Sequence, residues 1–326
     1  MSMKSVPTIS TADLSRLIAA LDVQIVTLAE CLVSPGYNLV MGGHPCPGIH
    51  YVLEGTGLMY LRNAAPVKVE PHTLVIVPPD CPFRLEVFKG DESPGATEPV
   101  TGADHMNIVD SVYRFTAGNE GPRTVLICGY FRTLYGASMD LFETLAAPIV
   151  EKFRADDRLD VTLKCAMDEL VAQEIGYGAM TGALLKQVII ALVRKSLSSM
   201  NVWIERFAML SDPQVARVFA DMVAQPGKGH TVHTLAETAC LSRSAFVARF
   251  TNAIGRSPMA VLREMRMRQA AADLAAGNMS IDQVIRNTGY ASRSSFARAF
   301  RQAYGMDPSG YRESILRNKN VSTSGR

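Results

Sequence analysis

Short apolar runs separated by turn residues dominate the first third of the chain. Gln24-Ile25-Val26-Thr27-Leu28, Ile49-His50-Tyr51-Val52-Leu53 and Gly57-Leu58-Met59-Tyr60-Leu61 are three of them. Thr73-Leu74-Val75-Ile76-Val77, Phe83 through Phe88, and Thr124-Val125-Leu126-Ile127-Cys128 are three more. Each is bounded by Gly, Pro, Asn or Asp, the pattern of short strands in a sandwich or small barrel. Glu54-Gly55-Thr56-Gly57, between two runs, carries a hairpin signal. Residues 89–107, rich in Gly, Pro, Thr and acids, predict an exposed loop. From Asp140 the spacing changes. Leu141, Leu145, Ile149 and Phe153 fall four apart, which predicts one helical stripe. Asp160 is placed to cap a helix through Leu163, Met167 and Leu170. Leu184, Leu185, Val188, Ile189, Leu192 and Val193 mark another, with Arg194 and Lys195 in its last turn.

The last hundred residues contain an internal repeat. Leu241-Ser242-Arg243-Ser244-Ala245-Phe246-Val247-Ala248-Arg249-Phe250 is echoed, fifty residues on, by Ala291-Ser292-Arg293-Ser294-Ser295-Phe296-Ala297-Arg298-Ala299-Phe300. The same offset relates Gly255 to Gly305 and Pro258 to Pro308. Each copy predicts a helix, a tight turn and a second helix. Thr234 is placed to cap the first helix of the first copy, with Cys240 and Leu241 as the turn. Ser242 and Ser292 cap the second helices, and Gly289 supplies the turn of the second copy. Phe246 with Phe250, and Phe296 with Phe300, stand at i, i+4 and face inward. Met259 to Ala275 predicts a long helix between the copies, stopped by Gly277-Asn278.

Charge is distributed unevenly. The whole chain has 33 Lys and Arg against 31 Asp and Glu, a net of +2 that gives no hint of a polyanionic partner. Residues 211–326, however, hold 16 cations against 8 acids, a net of +8, and 14 of the cations are arginine. Residues 1–210 hold the remaining 17 and 23, a net of −6. A basic region containing two helix-turn-helix units is the electrostatic footprint of a DNA binder, and arginine forks onto guanine edges and phosphates. The N-terminal residues carry no apolar secretory core, and no run approaches the ~18–20 apolar residues of a membrane span. Six scattered cysteines without a C-x-x-C pair are expected as reduced thiols of a cytoplasmic protein.

The repeat, with Gly255-x-x-Pro258, Gly289-Tyr290-Ala291-Ser292, Gly305-x-x-Pro308 and Tyr311-Arg312, resembles the DNA-binding domain of the AraC/XylS family of transcription regulators. The earlier strands resemble a cupin barrel. Ile49-His50-Tyr51-Val52-Leu53-Glu54-Gly55 stands for its first motif and Leu74 to Phe83 for its second. The expected fold is α+β. A cupin-like β-barrel sensor covers 1–139, and a helical bridge that offers a dimerisation surface covers 140–210. An all-α domain with two helix-turn-helix motifs follows over 211–316, then a flexible tail over 317–326. The resemblance implies a sequence-specific regulator of double-stranded DNA, an activator working with RNA polymerase, homodimeric and controlled by a signal in the barrel. Carried over by position, Ser244, Val247 and Ala248 face bases from the first recognition helix, with Arg243 and Arg249 nearer the backbone. In the second, Ser294, Ala297 and Arg298 face bases, and Arg293 and Arg301 hold phosphate. Arg312 and Arg317 are read as solvated or phosphate-contacting.

Two other readings compete. A metal-dependent cupin enzyme would use His44, His50, His72 and His105. Only His50 and Glu54 fit the first motif, and Phe83 falls near the third histidine's place, so no metal, cofactor or catalytic residue is assigned. A thiol-based redox sensor would use Cys46 and Cys81, each beside a proline in a loop, or Cys128. His50, Cys46 and Cys81 are the candidate effector or redox residues.

Overall fold

The computed structural model describes residues 10–62, 64–90, 97–109, 112–118, 121–135, 139–143, 145–198 and 212–323. These fall into two compact units. One takes residues 22–134 and 140–207, the other 1–21, 135–139 and 208–326.

The first unit is strand-rich. Its larger sheet has the order β13-β6-β3-β11-β1-β10-β9, with β12 added beside β11. These strands are β1 (Asp22–Val33), β3 (Gly48–Glu54), β6 (Thr73–Val77), β9 (Met106–Val109), β10 (Val112–Ala117), β11 (Thr124–Tyr135), β12 (Met139–Asp140) and β13 (Ile149–Lys152). The smaller sheet runs β5-β4-β7-β2-β8, from β5 (Val67–Val69), β4 (Gly57–Leu61), β7 (Phe83–Val87), β2 (Tyr37–Met41) and β8 (Glu98–Thr101). Val33, Val52, Val75 and Leu126 of the larger sheet and Leu39, Met59 and Leu85 of the smaller share one core cluster, all at most 1% exposed. The expected barrel is therefore two sheets packed over a common core, and no closed ring of strands forms among the described residues. Helices α2 (Leu159–Ala172) and α3 (Tyr177–Ser198) pair with each other, and α3 lies along β1.

Several expectations for this region fail. The stripe from Leu141 to Phe153 is not helical: Ile149–Lys152 is strand β13, paired with β6. Pro148 forbids a continuous helix there, and a spacing of four satisfies the two-residue period of a strand as well. The hairpin at Gly55 is absent, because β3 and β4 belong to different sheets. Gly55 turns this corner at φ +78°, where a Cβ would stand 2.6 Å from the Thr124 Cα. The 89–107 loop contains β8, a short 3-10 turn and the start of β9, and its residues 91–96 lie outside the described ones. The helix over 159–172 forms as expected, but Arg158 in a left-handed conformation precedes it and Asp160 sits in its first turn.

The second unit is helical among its described residues, apart from parts of the two strand ends at 135 and 139. Helix α1 (Thr11–Ala20) packs on α4 (Pro213–Ala224). Then come α5 (Val232–Thr238), α6 (Arg243–Ile254), α7 (Pro258–Ala276), α8 (Ile281–Asn287), α9 (Arg293–Tyr304) and α10 (Pro308–Thr323). Gly277, at φ +74°, ends the linker helix α7 as expected. Helix α10 runs to Thr323, through residues expected to begin a tail.

Candidate nucleic-acid interface and sensor cavity

The two helix-turn-helix units are α5 with α6 and α8 with α9. Their second helices start on serine hydroxyls, Ser242 accepting from the Ala245 N–H at 3.3 Å and Ser292 from the Ser295 N–H at 3.2 Å. Their first helices start on reciprocal capping boxes, Thr231 with Thr234 and Ser280 with Gln283. Thr231, not Thr234, is thus the cap of α5. The caps expose a repeat of two offsets: fifty for the second helices, forty-nine for the first. The second turn is one residue longer, and its left-handed residue is Gly289 at φ +69°, against Cys240 at +54° in the first. Tyr290 in the longer turn packs edge-on against Phe296, with centroids 5.7 Å apart.

The aromatic pairs face inward as expected. Phe246, Phe250, Phe296 and Phe300 are all fully buried, with ring centroids 5.6 Å apart in the first pair and 5.7 Å in the second. That orientation turns the opposite faces outward. Arg243, Ser244, Ala248 and Arg249 on α6 are exposed and Val247 is half-buried. Arg293, Ser294, Arg298 and Arg301 on α9 are exposed and Ala297 is half-buried.

The arginines differ in what they do. Arg249 donates from Nε to Asp212 Oδ2 at 2.8 Å, from a terminal nitrogen to Asp212 Oδ1 at 2.8 Å, and to Gln214 Oε1 at 2.6 Å. Asp212 also caps α4 through the Gln214 and Val215 N–H groups, so Arg249 ties α6 to α4. Arg312 donates to the Met279 carbonyl at 2.7 Å and is half-buried, a brace for the second unit instead of the solvated group expected. The Arg317 side chain lies outside the described residues. Arg266 of the linker helix, which sequence reasoning passed over, donates to the Pro226 and Lys228 carbonyls at 2.8 and 2.9 Å. Arg293 has a loose ion pair with Asp282 at 3.5 Å, both well exposed. Arg298 makes no ion pair or hydrogen bond among the described residues.

In the strand-rich unit the four candidate histidines are dispersed. His44 stacks on Tyr130 with centroids 3.9 Å apart and accepts from the Cys46 N–H. His72 bonds the Tyr51 hydroxyl at 2.9 Å, and His105 is exposed. Glu54 is exposed at the far end of β3, four residues from His50. No group of three or more His, Cys, Asp or Glu gathers among the described residues. One isolated imidazole does not fit a transition metal.

His50 does line a cavity of about 380 Å³, with Met41, Tyr113, Phe115, Cys128 and Tyr130. It is 2% exposed, and neither ring nitrogen has a hydrogen-bond partner. Burial lowers its pKa to about 3, so the ring is neutral. Cys46 is buried, its sulfur accepting from Arg132 Nε at 3.4 Å, and Cys81 is half-buried. Neither lines the cavity. The thiol that does is Cys128, buried, with burial first and the neighbouring Cys31 thiol next among the causes that raise its pKa well above the ordinary thiol value. The pairing of β1 with β11 places Cys31 diagonally across from Cys128. The aromatic lining on β10 was invisible in the sequence, because β10 carries no long apolar run.

The chain matches the Cupin family over residues 13–198 and the Helix-turn-helix domain family over residues 235–314. It is 28% identical over 195 residues to the RCS-specific HTH-type transcriptional activator RclR of Escherichia coli K12, covering 59% of this chain and 69% of that one. It is 31% identical over 152 residues to an AraC-like transcription regulator of Streptomyces lividans, covering 44% of this chain and 49% of that one, so it spans about half of that relative's length. Among solved structures, the DNA-binding domain of AdpA in complex with a target DNA is similar at 30% identity and TM-score 0.32, over 33% of this chain and 97% of that one. No helix among the described residues is long and apolar enough to cross a membrane. With a cupin domain ahead of paired helix-turn-helix units, this chain belongs to the AraC family of DNA-binding transcription regulators.

Proposed function

We propose that this chain binds a specific double-stranded DNA site with α6 and α9 and regulates transcription in response to a signal received by its cupin unit. One observation carries the reading. Two serine-capped helices each bury a phenylalanine pair and turn a polar, arginine-bearing face outward, in the region of net +8. Such faces enter successive major grooves about 34 Å apart. Ser244, Val247 and Ala248 read the first groove through methyl and water-mediated contacts. Ser294, Ala297 and Arg298 read the second, and Arg243, Arg293 and Arg301 hold phosphate. Arg249 acts as a strut between α6 and α4. The protein works in the cytoplasm as a homodimer, is no enzyme, and activates by contact with RNA polymerase. The activating direction rests on the name of the E. coli relative. Footprinting the chain on its own promoter and neighbouring ones is expected to show two protected patches one helical turn apart. Protection that does not depend on sequence would overturn the reading.

A second reading concerns the signal, and the diagonal placement of Cys31 and Cys128 across β1 and β11, in one buried cluster, favours it over the cysteines singled out from sequence. A peroxide would accept two electrons and two protons from the pair, giving a disulfide, water and an alcohol. The raised Cys128 pKa makes that reaction slow, since thiolate is the nucleophile. In this reading Cys31→Ser and Cys128→Ser each abolish the response to oxidant, whereas Cys46→Ser and Cys81→Ser keep it. A normal response from either of the first two variants rejects it.

A further inference from the structure

The cavity in the strand-rich unit has the character of a ligand site. Its floor is the buried ring of His50, whose orientation is fixed by Phe83 set edge-on, with centroids 4.4 Å apart. Its walls include Phe115, Tyr130 and Met41, and no Lys, Arg, Asp or Glu lines it among the described residues. Its rim is apolar and open: Val26, Met106 and Tyr113 are each 42–47% exposed. Val26 stands at the point where the pairing of β1 and β11 slips between Ile25 and Thr27. Such bulges re-aim side chains and cluster beside functional sites. A buried imidazole with both nitrogens unpaired is costly unless something pairs with it.

We propose that this cavity is the effector site and that it takes a neutral aromatic molecule bearing one hydroxyl or carbonyl, whose polar atom pairs with His50. This rests on the reading of the cupin unit as the sensor. The class follows from the lining. An anion would enter a wall without a cation to meet it and would lose its hydration uncompensated. Phe115, Tyr113 and Tyr130 offer rings to stack on, and Met41 and Met106 adapt to the ligand's outline. A neutral imidazole accepts from a hydroxyl through one nitrogen and donates to a carbonyl through the other. A volume of about 380 Å³ sits near the lower end of small-molecule pockets, which sets the size at one or two rings.

The test uses the full chain without DNA and three probes of one shape: p-cresol, toluene and benzoate. Binding is followed through the His50 ring resonances in histidine-labelled protein and through the melting temperature. The expected result is saturable binding of p-cresol that moves the His50 signal. Toluene should bind about tenfold more weakly, for want of the hydrogen bond, and benzoate at pH 7 more weakly still. His50→Phe should bind p-cresol and toluene alike. Ala29→Leu keeps His50 but fills the cavity, and should bind neither, which serves if the first variant fails to fold. Benzoate binding as tightly as p-cresol, wild-type p-cresol affinity in the filled variant, or an unmoved His50 signal with every probe would each overturn the proposal. Footprinting the same preparation separates the two readings. A chain that finds its DNA site but ignores the probes loses only this one, and a chain that binds p-cresol without selecting DNA loses only the regulator reading.

Discussion

Arg298 and Ala248 hold the same place in the two recognition helices, and in the proposed reading that single difference gives the direct base contact to α9. An exposed arginine with no ion pair or hydrogen bond among the described residues has its donors available for a guanine edge. Arg298→Ala is expected to cost about 1–3 kcal/mol on the cognate site and to relax selectivity at one position. Arg301→Ala should weaken cognate and random DNA alike and reduce the salt slope by about one. Arg249→Ala should do neither. Its forked bonds to Asp212 are partly exposed, so their loss costs about 1 kcal/mol of stability and leaves the salt slope unchanged. Fluorescence anisotropy across a salt series, with chemical denaturation alongside, checks all three. His50 makes a different kind of prediction. Its folded pKa, about 3, lies below the ordinary imidazole value of 6.5, so between those values the unfolded chain holds the proton and the folded one does not. Stability therefore falls as pH drops below 6.5, by about 1.4 kcal/mol per pH unit from this group. His50→Leu should lose less stability than wild type between pH 7 and pH 5. Equal losses in both would show that His50 is not held neutral.

At the level of elements, the recognition helices were legible because three independent signals agree there: a serine cap, an i, i+4 phenylalanine pair and a repeat. The sheets were legible only in part. Strands with long apolar runs, such as β3, β6 and β11, announce themselves. Strand β10, Val112-Tyr113-Arg114-Phe115-Thr116-Ala117, mixes polar and aromatic residues, because one of its faces borders the cavity. Sequence therefore missed the strand that supplies two of the cavity's aromatic side chains. The corner at Gly55 looked like a hairpin because a turn motif does not say which sheet the next strand will join. Long-range placement decides such features, as with Cys31 and Cys128, ninety-seven residues apart in the chain yet diagonal neighbours across β1 and β11. Another placement of this kind supports α8. A Cβ on Gly227 would stand 1.8 Å from the Asn287 carbonyl oxygen, and Arg266 holds the carbonyls on either side of Gly227. That loop cannot retreat without breaking the Arg266 bonds. Gly227→Ala should destabilise the helical unit by about 2 kcal/mol or more and weaken DNA binding, because α8 positions α9. Wild-type stability in that variant would mean that the contact is not needed.

For the molecule as a whole, counting cations overstates the surface offered to DNA. Of the sixteen in residues 211–326, Arg217, Lys228, Arg249 and Arg256 form ion pairs with acids of the same unit, and Arg266 and Arg312 hold carbonyls. Arg243, Arg293, Arg298 and Arg301 stand on the recognition helices. The net of +8 is therefore partly a structural charge and partly a binding one. The −6 of residues 1–210 adds a repulsion from DNA that salt screens, and this shallows the dependence further. Counterion release gives a slope of about −0.9 for each phosphate neutralised. Four to six phosphates per bound chain predict about −4 to −5 for log K against log salt. Engagement of all sixteen cations would give about −14. Titration of the full chain on its footprinted site between low and physiological salt distinguishes these values. A slope near the larger figure would mean that the internal pairs open on binding, and that Arg249 and Arg266 leave their partners to reach the backbone of the DNA.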